Sequence, residues 1–139
     1  MAHEATNHEA TTTPTVEASM AVLRAVVEAT NRQDLAALRA HPGLHETVRY
    51  IPALWAAFPD LHHTVERQVA AGDTVTTCMR ARGTHRGAFM GVAPTGREVS
   101  FLVLSVDRVA AGRITLHYGL PDFLAIFGTL GLLPAWEAA

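Results

Sequence analysis

The spacing of apolar residues in this chain changes after Pro59-Asp60. Before this point apolar residues recur at helical spacing, which predicts helices over 16–30, 35–40 and 45–57. After it they alternate with polar residues. This predicts strands over 61–70, 74–84, 98–109 and 113–120, followed by an apolar, helical segment over 122–133. Helices followed by an antiparallel meander indicate an α+β fold, with the helices packed on one face of a curved sheet.

Turn and capping residues separate these segments. Thr13-Pro14-Thr15 offers a hydroxyl cap and a proline for the start of the first helix, and Asp34 can cap the second. His41-Pro42-Gly43 is a strong stop between the second and third helices. Pro52 falls inside the third helix, where it lies near the first turns or bends the helix.

Length and composition predict a single domain that associates with a second subunit. We expect a polar, disordered tail over 1–14 and a single domain over 15–139. Apolar residues make up 49% of the chain and charged residues only 17%, so a second subunit is expected to cover apolar surface. The predicted homodimer uses the outer sheet face, whose apolar residues are Leu102, Leu104, Val106, Leu116 and Tyr118.

Several partners and locations are disfavoured by the sequence. A net charge of −2 without a basic stripe argues against nucleic-acid binding. No apolar run approaches the length of a membrane span. The single cysteine, Cys78, excludes an internal disulfide framework and fits a reducing cytoplasm. We find no close His/Asp spacing typical of metal ligands, so we expect no metal site, and no phosphate-binding glycine motif is present in the sequence.

Five segments together resemble the SnoaL-like polyketide cyclases, which are small cofactor-free enzymes of the nuclear-transport-factor-like cone fold. They are Asn-x-x-Asp-Leu at 31–35, Phe-Pro-Asp-Leu at 58–61, the Gly-Thr-His to Pro-Thr-Gly segment at 83–96, Arg-Val-x-x-Gly-Arg-Ile at 108–114, and the strand that bears His117. The resemblance implies a cone-shaped α+β barrel, no cofactor, and a small, apolar, polyketide-like substrate. It also implies a role in secondary metabolism such as antibiotic biosynthesis. The reactions compatible with the resemblance are those of an isomerase or a lyase, as well as cyclisation.

The chain departs from the family pattern where the chemistry is expected. The family's catalytic Asp, two residues after the position of His117, is Gly119 here, and a pocket His on the preceding strand is Ser105. A strand and loop that line the pocket mouth in the family are reduced to the residues between Ala40 and Gly43. The standard mechanism of the family is therefore not carried over to this chain.

His117 is the first catalytic candidate. Strict alternation puts Thr115, His117 and Gly119 on one face of the last strand, and Ile114, Leu116, Tyr118 and Leu120 on the other. By resemblance the His117 face lines the cone, where an imidazole can move a proton near neutral pH. The other two catalytic candidates are Asp122, which is either a helix cap or a partner of His117, and His63, which alternates inward while His62 faces outward.

The predicted substrate-binding residues are His85, Ser105, Phe101, Val103, Met79 and Trp55. For His85 the alternative is a structural role, in which it fixes the loop that follows. Asp107 shares the inward face of Phe101, but its position near the Ala111-Gly112 turn predicts a solvated carboxylate at the end of the sheet.

Two functions of different classes remain open at this point. One is a cofactor-independent enzyme that uses acid/base chemistry for cyclisation, isomerisation or dehydration of a polyketide-like molecule. The other is a non-catalytic protein that binds a small molecule or assists a tailoring enzyme, which the replacements at Ser105 and Gly119 favour.

Overall fold

The predicted α+β class is confirmed by a computed structural model, which describes residues 15–134. The helices are α1 (Val16–Asn31), α2 (Leu35–Arg39), α3 (His45–Ala57) and α4 (Phe123–Thr129), with a 3₁₀ turn at Pro42–Leu44. The strands are β1 (His62–Ala71), β2 (Thr74–Thr84), β3 (Glu98–Ala110) and β4 (Arg113–Pro121). They form one antiparallel sheet in the order β1-β2-β3-β4. The predicted tail, residues 1–14, lies outside the described residues, and the extent of the domain stays a prediction.

Capping side chains explain where the helices begin. The Thr15 hydroxyl accepts a hydrogen bond from the amide of Ala18 at the start of α1. The Asp34 carboxylate does the same for the amide of Ala37 at the start of α2. Each bond satisfies an amide that has no partner inside its helix. The last helix is shorter than the predicted 122–133 and ends at Thr129.

The core lies between the inner face of the sheet and the helices that precede it. Buried apolar side chains of α1 and α3 meet those of β2, β3 and β4, and the cluster includes Leu23, Val27, Ile51, Leu54, Val75, Phe101 and Ile114. Burial alternates along β2 and β3, so one sheet face packs on the helices and the other is outward.

A β-bulge in the last hairpin changes the predicted orientation of two residues. Ala111 and Gly112, both at positive φ, make the two-residue turn between β3 and β4. The pairing shifts between Arg108 and Val109, so β4 carries one extra residue there. The predictions that Ile114 faces outward with Leu116 and that Thr115 faces inward with His117 are therefore wrong: Ile114 is fully buried on the inner side, and Thr115 is exposed.

The segment 41–43 packs directly against this bulge. The amide of Ile114 donates to Nδ1 of His41 at 3.0 Å, which gives that amide a partner. A Cβ on Gly43 would lie 2.7 Å from the amide nitrogen of Leu116, so only glycine allows this approach. The short His41-Pro42-Gly43 connection thus holds the start of α3 against β4.

Candidate active site

A small cavity lies between the inner sheet face and helices α1 and α3. Its volume is about 80 Å³. Apolar side chains make most of its wall, and the polar groups on it come from Thr30, Thr47, Tyr50, His63, Ser105 and His117. A site of this composition excludes most water and leaves a few polar groups to bind or react.

His117 and Asp107 form a hydrogen-bonded pair at this wall. The bulge places Asp107 of β3 directly opposite His117 of β4. Nδ1 of His117 lies 2.5 Å from Oδ1 of Asp107, whose side chain is fully buried, while the His117 side chain keeps 16% of its surface exposed. A carboxylate accepts the proton of Nδ1, so the pair leaves Nε2 as the ring nitrogen that is free for chemistry.

The predicted environment of Asp107 is therefore wrong. The sequence predicts a solvated carboxylate near the end of the sheet, whereas the side chain has no solvent exposure. Its second oxygen, Oδ2, is buried and has no hydrogen-bond partner among the described residues. A buried carboxylate is costly unless it is paired, and here His117 is the partner.

The absence of a side chain at Gly119 leaves room for the imidazole of His117. A Cβ on Gly119 would lie 2.6 Å from Nε2 of His117, closer than real Cβ contacts. Any side chain at this position would force the ring to move. The glycine at the family's acid position and the His117–Asp107 pair are thus linked, because the ring occupies the space that a side chain at 119 would need.

Ser105 lies next to this pair on the cavity wall. It is opposite Gly119 in the register of β3 and β4, and its hydroxyl is buried without a partner in the part of the chain that the structure describes. An unpartnered hydroxyl at a cavity can donate to an oxygen of a bound molecule.

His63 occupies another part of the wall and is held through its backbone. The Asn31 side chain accepts from the amide of His63 at 2.7 Å and donates to its carbonyl at 2.9 Å, so α1 is tied to β1 at this point. Burial lowers the pKa of His63 to about 4, and the positive charge that His62 can carry adds to the shift. His63 is therefore a neutral ring near neutral pH, while its neighbour His62 is exposed, as predicted.

The structure brings together six of the nine predicted site residues. His117, His63, Ser105, Phe101, Val103 and Met79 all line the cavity. Asp122, His85 and Trp55 lie away from it. Asp122 is exposed and caps α4 by accepting from the amide of Ala125, the alternative that its sequence position also allows. Trp55 is packed in the core of the fold.

His85 holds the loop after β2. Its ring is fully buried, 5.6 Å from that of Phe58, and its Nδ1 accepts from the amide of Thr95 at 3.1 Å. The backbone of His85 also exchanges hydrogen bonds with Gly96 and Arg97. These contacts correspond to the structural alternative for His85, in which it fixes the loop that follows.

Asp107 is the functional candidate whose burial the sequence did not predict. Its inward direction follows from alternation with Phe101 and Ser105. A regular hairpin with the Ala111-Gly112 turn would pair Asp107 with Leu116, and only the bulge moves it opposite His117.

Neither a metal-binding cluster nor a membrane-spanning helix is present in the described part of the chain. Among residues 15–134, no group of three or more His, Cys, Asp or Glu side chains is arranged to hold a metal ion. Within the same residues, no helix is long and apolar enough to cross a membrane.

Comparison with known proteins agrees with the fold and with the character of the cavity. The family model for SnoaL-like polyketide cyclase matches residues 17–130. The chain is similar to the crystal structure of AclR, a proposed hydroxylase from Streptomyces galilaeus, at 28% identity and a TM-score of 0.80, covering 87% of this chain and 89% of that one. It is also similar to IdmH, a proposed polyketide cyclase from Streptomyces antibioticus, at 32% identity and a TM-score of 0.72, covering 81% of this chain and 98% of that one. No curated protein matches the chain.

Proposed function

Because the chain belongs to the SnoaL-like polyketide cyclase family, we propose that it is a cofactor-independent enzyme acting on an apolar, polyketide-like molecule by acid/base chemistry. The observation that carries the proposal is the His117–Asp107 pair at the wall of an otherwise apolar cavity. It supplies an acid/base group in a chain that has glycine at the family's acid position.

His117 is the proposed base. With its Nδ1 proton held by Asp107, Nε2 removes a proton from a carbon beside a carbonyl of the substrate, and the electron pair left behind forms an enolate. The carboxylate of Asp107 then balances the positive charge on the imidazole. The same Nε2 returns its proton to the product, so the enzyme is restored without a cofactor.

Ser105 is the proposed donor to the enolate oxygen, because its hydroxyl is buried beside Gly119 and has no other partner among residues 15–134. The enolate can then react in three ways. Reprotonation at another atom is isomerisation, attack on a second carbonyl is cyclisation, and expulsion of hydroxide is dehydration. His63, neutral near pH 7 by its lowered pKa, is a polar contact for the substrate in this scheme.

Deuterium exchange tests the first step without knowledge of the natural substrate. We expect the protein to accelerate exchange of the C–H bonds beside the carbonyl of 1-tetralone, an apolar aryl ketone, in heavy water, followed by proton NMR. His117→Ala and Asp107→Asn are expected to lose about 10²–10⁴-fold of the catalysed rate.

His62→Ala is the matched control. His62 is adjacent to a cavity residue in sequence but exposed on the other strand face, so this variant is expected to keep the wild-type rate. Binding of 1-tetralone without exchange above the uncatalysed rate would contradict the enzyme and favour the non-catalytic, ligand-binding function.

We further propose a homodimer formed by the outer sheet face. In the register of β3 and β4, Leu104 pairs with Leu120 and Val106 with Tyr118, so exposed apolar side chains lie together. Tyr118 is 61% exposed and Leu120 72%. A contiguous apolar patch of this kind supports an interface between subunits. Sedimentation velocity is expected to give a dimer for the wild type and a monomer for Tyr118→Glu.

The proposed location is the cytoplasm, since the single cysteine, Cys78, is free. Localisation of a tagged chain in fractionated cells would test it.

A further inference from the structure

The cavity is smaller than the molecules that the proposed function requires. An apolar cavity of about 150 Å³ binds one benzene ring in another protein, and the cavity beside His117 measures only about 80 Å³. It therefore has room for the reacting edge of one ring and not for several rings. The remainder of a polyketide-like molecule must lie somewhere else on the protein.

An apolar groove adjoins the cavity on the other side of α3. Its volume is about 240 Å³, three times that of the cavity. Its walls come from α3, from the loop that follows β2 and from the start of α4, and they consist of Tyr50, Ala53, Leu54, Ala88, Phe89, Met90 and Phe123. No side chain among these carries a charge.

Tyr50 and Leu54 belong to both spaces. They line the cavity on one side and the groove on the other, so they are the partition between the two. Leu54 is 8% exposed and packed in the core, whereas Tyr50 is 40% exposed. A side chain that exposed can change its rotamer without disturbing the core, so Tyr50 is the movable part of the partition.

The far wall of the groove is firmly held. Phe89 is buried, its ring lies 5.3 Å from that of Phe58, and its backbone exchanges two hydrogen bonds with Val92. The amide of Gly87 donates to the carbonyl of Ala57. A Cβ at Gly87 would lie 2.1 Å from the carbonyl oxygen of Ala56, so the loop approaches α3 as closely as only glycine permits. The groove is thus formed before any ligand binds.

We propose that the groove is the second half of the substrate site, and that the substrate is an elongated apolar molecule. Its reacting end enters the cavity beside His117, and its apolar remainder passes Tyr50 and lies against Phe89 and Phe123. This inference rests on the proposed function, because it extends the same site. Residues of the groove then select substrates by length, while His117 and Asp107 act on the end that all substrates share.

Binding of phenol and 4-phenylphenol, measured by isothermal titration calorimetry, tests the length selection. The two probes share a hydroxyl-bearing ring and differ by one phenyl group. We expect 4-phenylphenol to bind the wild type at least about 10-fold more tightly, since its second ring buries apolar surface in the groove.

Two variants fill the groove from opposite walls. Ala53→Trp on α3 and Ala88→Trp on the loop replace exposed residues, so neither disturbs the core. Each is expected to remove the preference for 4-phenylphenol and to leave phenol binding within about 2-fold of the wild type. Arg49→Trp is the control, because Arg49 lies on the same helix, is exposed and lines neither space. It should keep the wild-type preference.

Unchanged 4-phenylphenol binding in both groove-filling variants would overturn the proposal. So would a loss of dimer in sedimentation caused by these variants with an unchanged preference for 4-phenylphenol, because a second copy of the chain would then be the occupant. Failure of deuterium exchange with an intact length preference would instead refute the proposed catalysis and leave the two-part site standing.

Discussion

The acid sensitivity of the fold is expected to depend on His63. Its pKa is lowered from 6.5 to about 4, chiefly because the ring is buried. The folded protein therefore holds His63 neutral at a pH where the unfolded chain has already bound a proton. As the pH falls below about 6.5, protonation of the unfolded chain lowers the free energy of unfolding, and the loss levels off below about pH 4.

The size of this effect follows from the shift. At about 1.4 kcal/mol per pKa unit, the difference between 6.5 and about 4 is worth about 3 kcal/mol in full. Between about pH 7.5 and about pH 5, the linkage relation gives a loss of about 2 kcal/mol from this one residue. That is a large part of the stability of a domain of this size, which is of the order of 5–15 kcal/mol.

Urea unfolding of the wild type and of His63→Leu at the two pH values measures the contribution. Leucine suits the apolar surroundings and cannot titrate, and it removes Nδ1, which has no partner among the described residues. We expect the variant to lose about 2 kcal/mol less than the wild type between about pH 7.5 and about pH 5. His62→Leu, at the exposed neighbour, is the control and should lose nearly as much as the wild type, because burial is the larger cause of the His63 shift and the charge of His62 the smaller one.

Equal losses in the wild type and in His63→Leu would refute the reasoning, because they would mean that the folded protein takes up the proton at His63 without cost. The same result would contradict the neutral form of His63 assumed at the cavity wall.

Three further predictions concern single contacts. Gly119→Ala should remain folded by circular dichroism but lose about 10²–10⁴-fold in ketone exchange, because a Cβ there would lie 2.6 Å from Nε2 of His117; full activity would contradict the role of the glycine. His41→Leu should lower the free energy of unfolding at neutral pH by about 1–3 kcal/mol, since the amide of Ile114 loses its acceptor, and unchanged urea midpoints would rule this out. Asp122→Ala should lower the free energy of unfolding by about 1 kcal/mol, because the helix cap is lost, and should leave the rate of ketone exchange unchanged. A large drop in that rate would show that Asp122 takes part in the reaction.

Local patterns in the sequence were sufficient for most of the fold. The change of apolar spacing after Pro59-Asp60 predicts three helices and four strands, and β2, at Thr74–Thr84, has the predicted bounds. Alternation also identifies the inward residues of β3, from Phe101 to Asp107. These features depend on neighbours a few positions apart, which a linear pattern records.

The candidate site was only partly predictable for the same reason. His117, His63 and Ser105 were found because they sit on inward strand faces that alternation reveals. The burial of Asp107 was missed, because it depends on which residue of β4 lies opposite.

The sequence was thus sufficient for the type and order of the helices and strands, for the inward residues of β3 and for the family of this chain. Three features depend on long-range packing: the bulge that places Asp107 against His117, the position of the imidazole over Gly119, and the volume of the cavity. A bulge of one residue moves every later pair of the hairpin by one position, and nothing in the local alternation of β4 signals it. His41 and Gly43 contact β4 at the bulge, and they lie more than 70 positions away in the sequence from the residues that they contact.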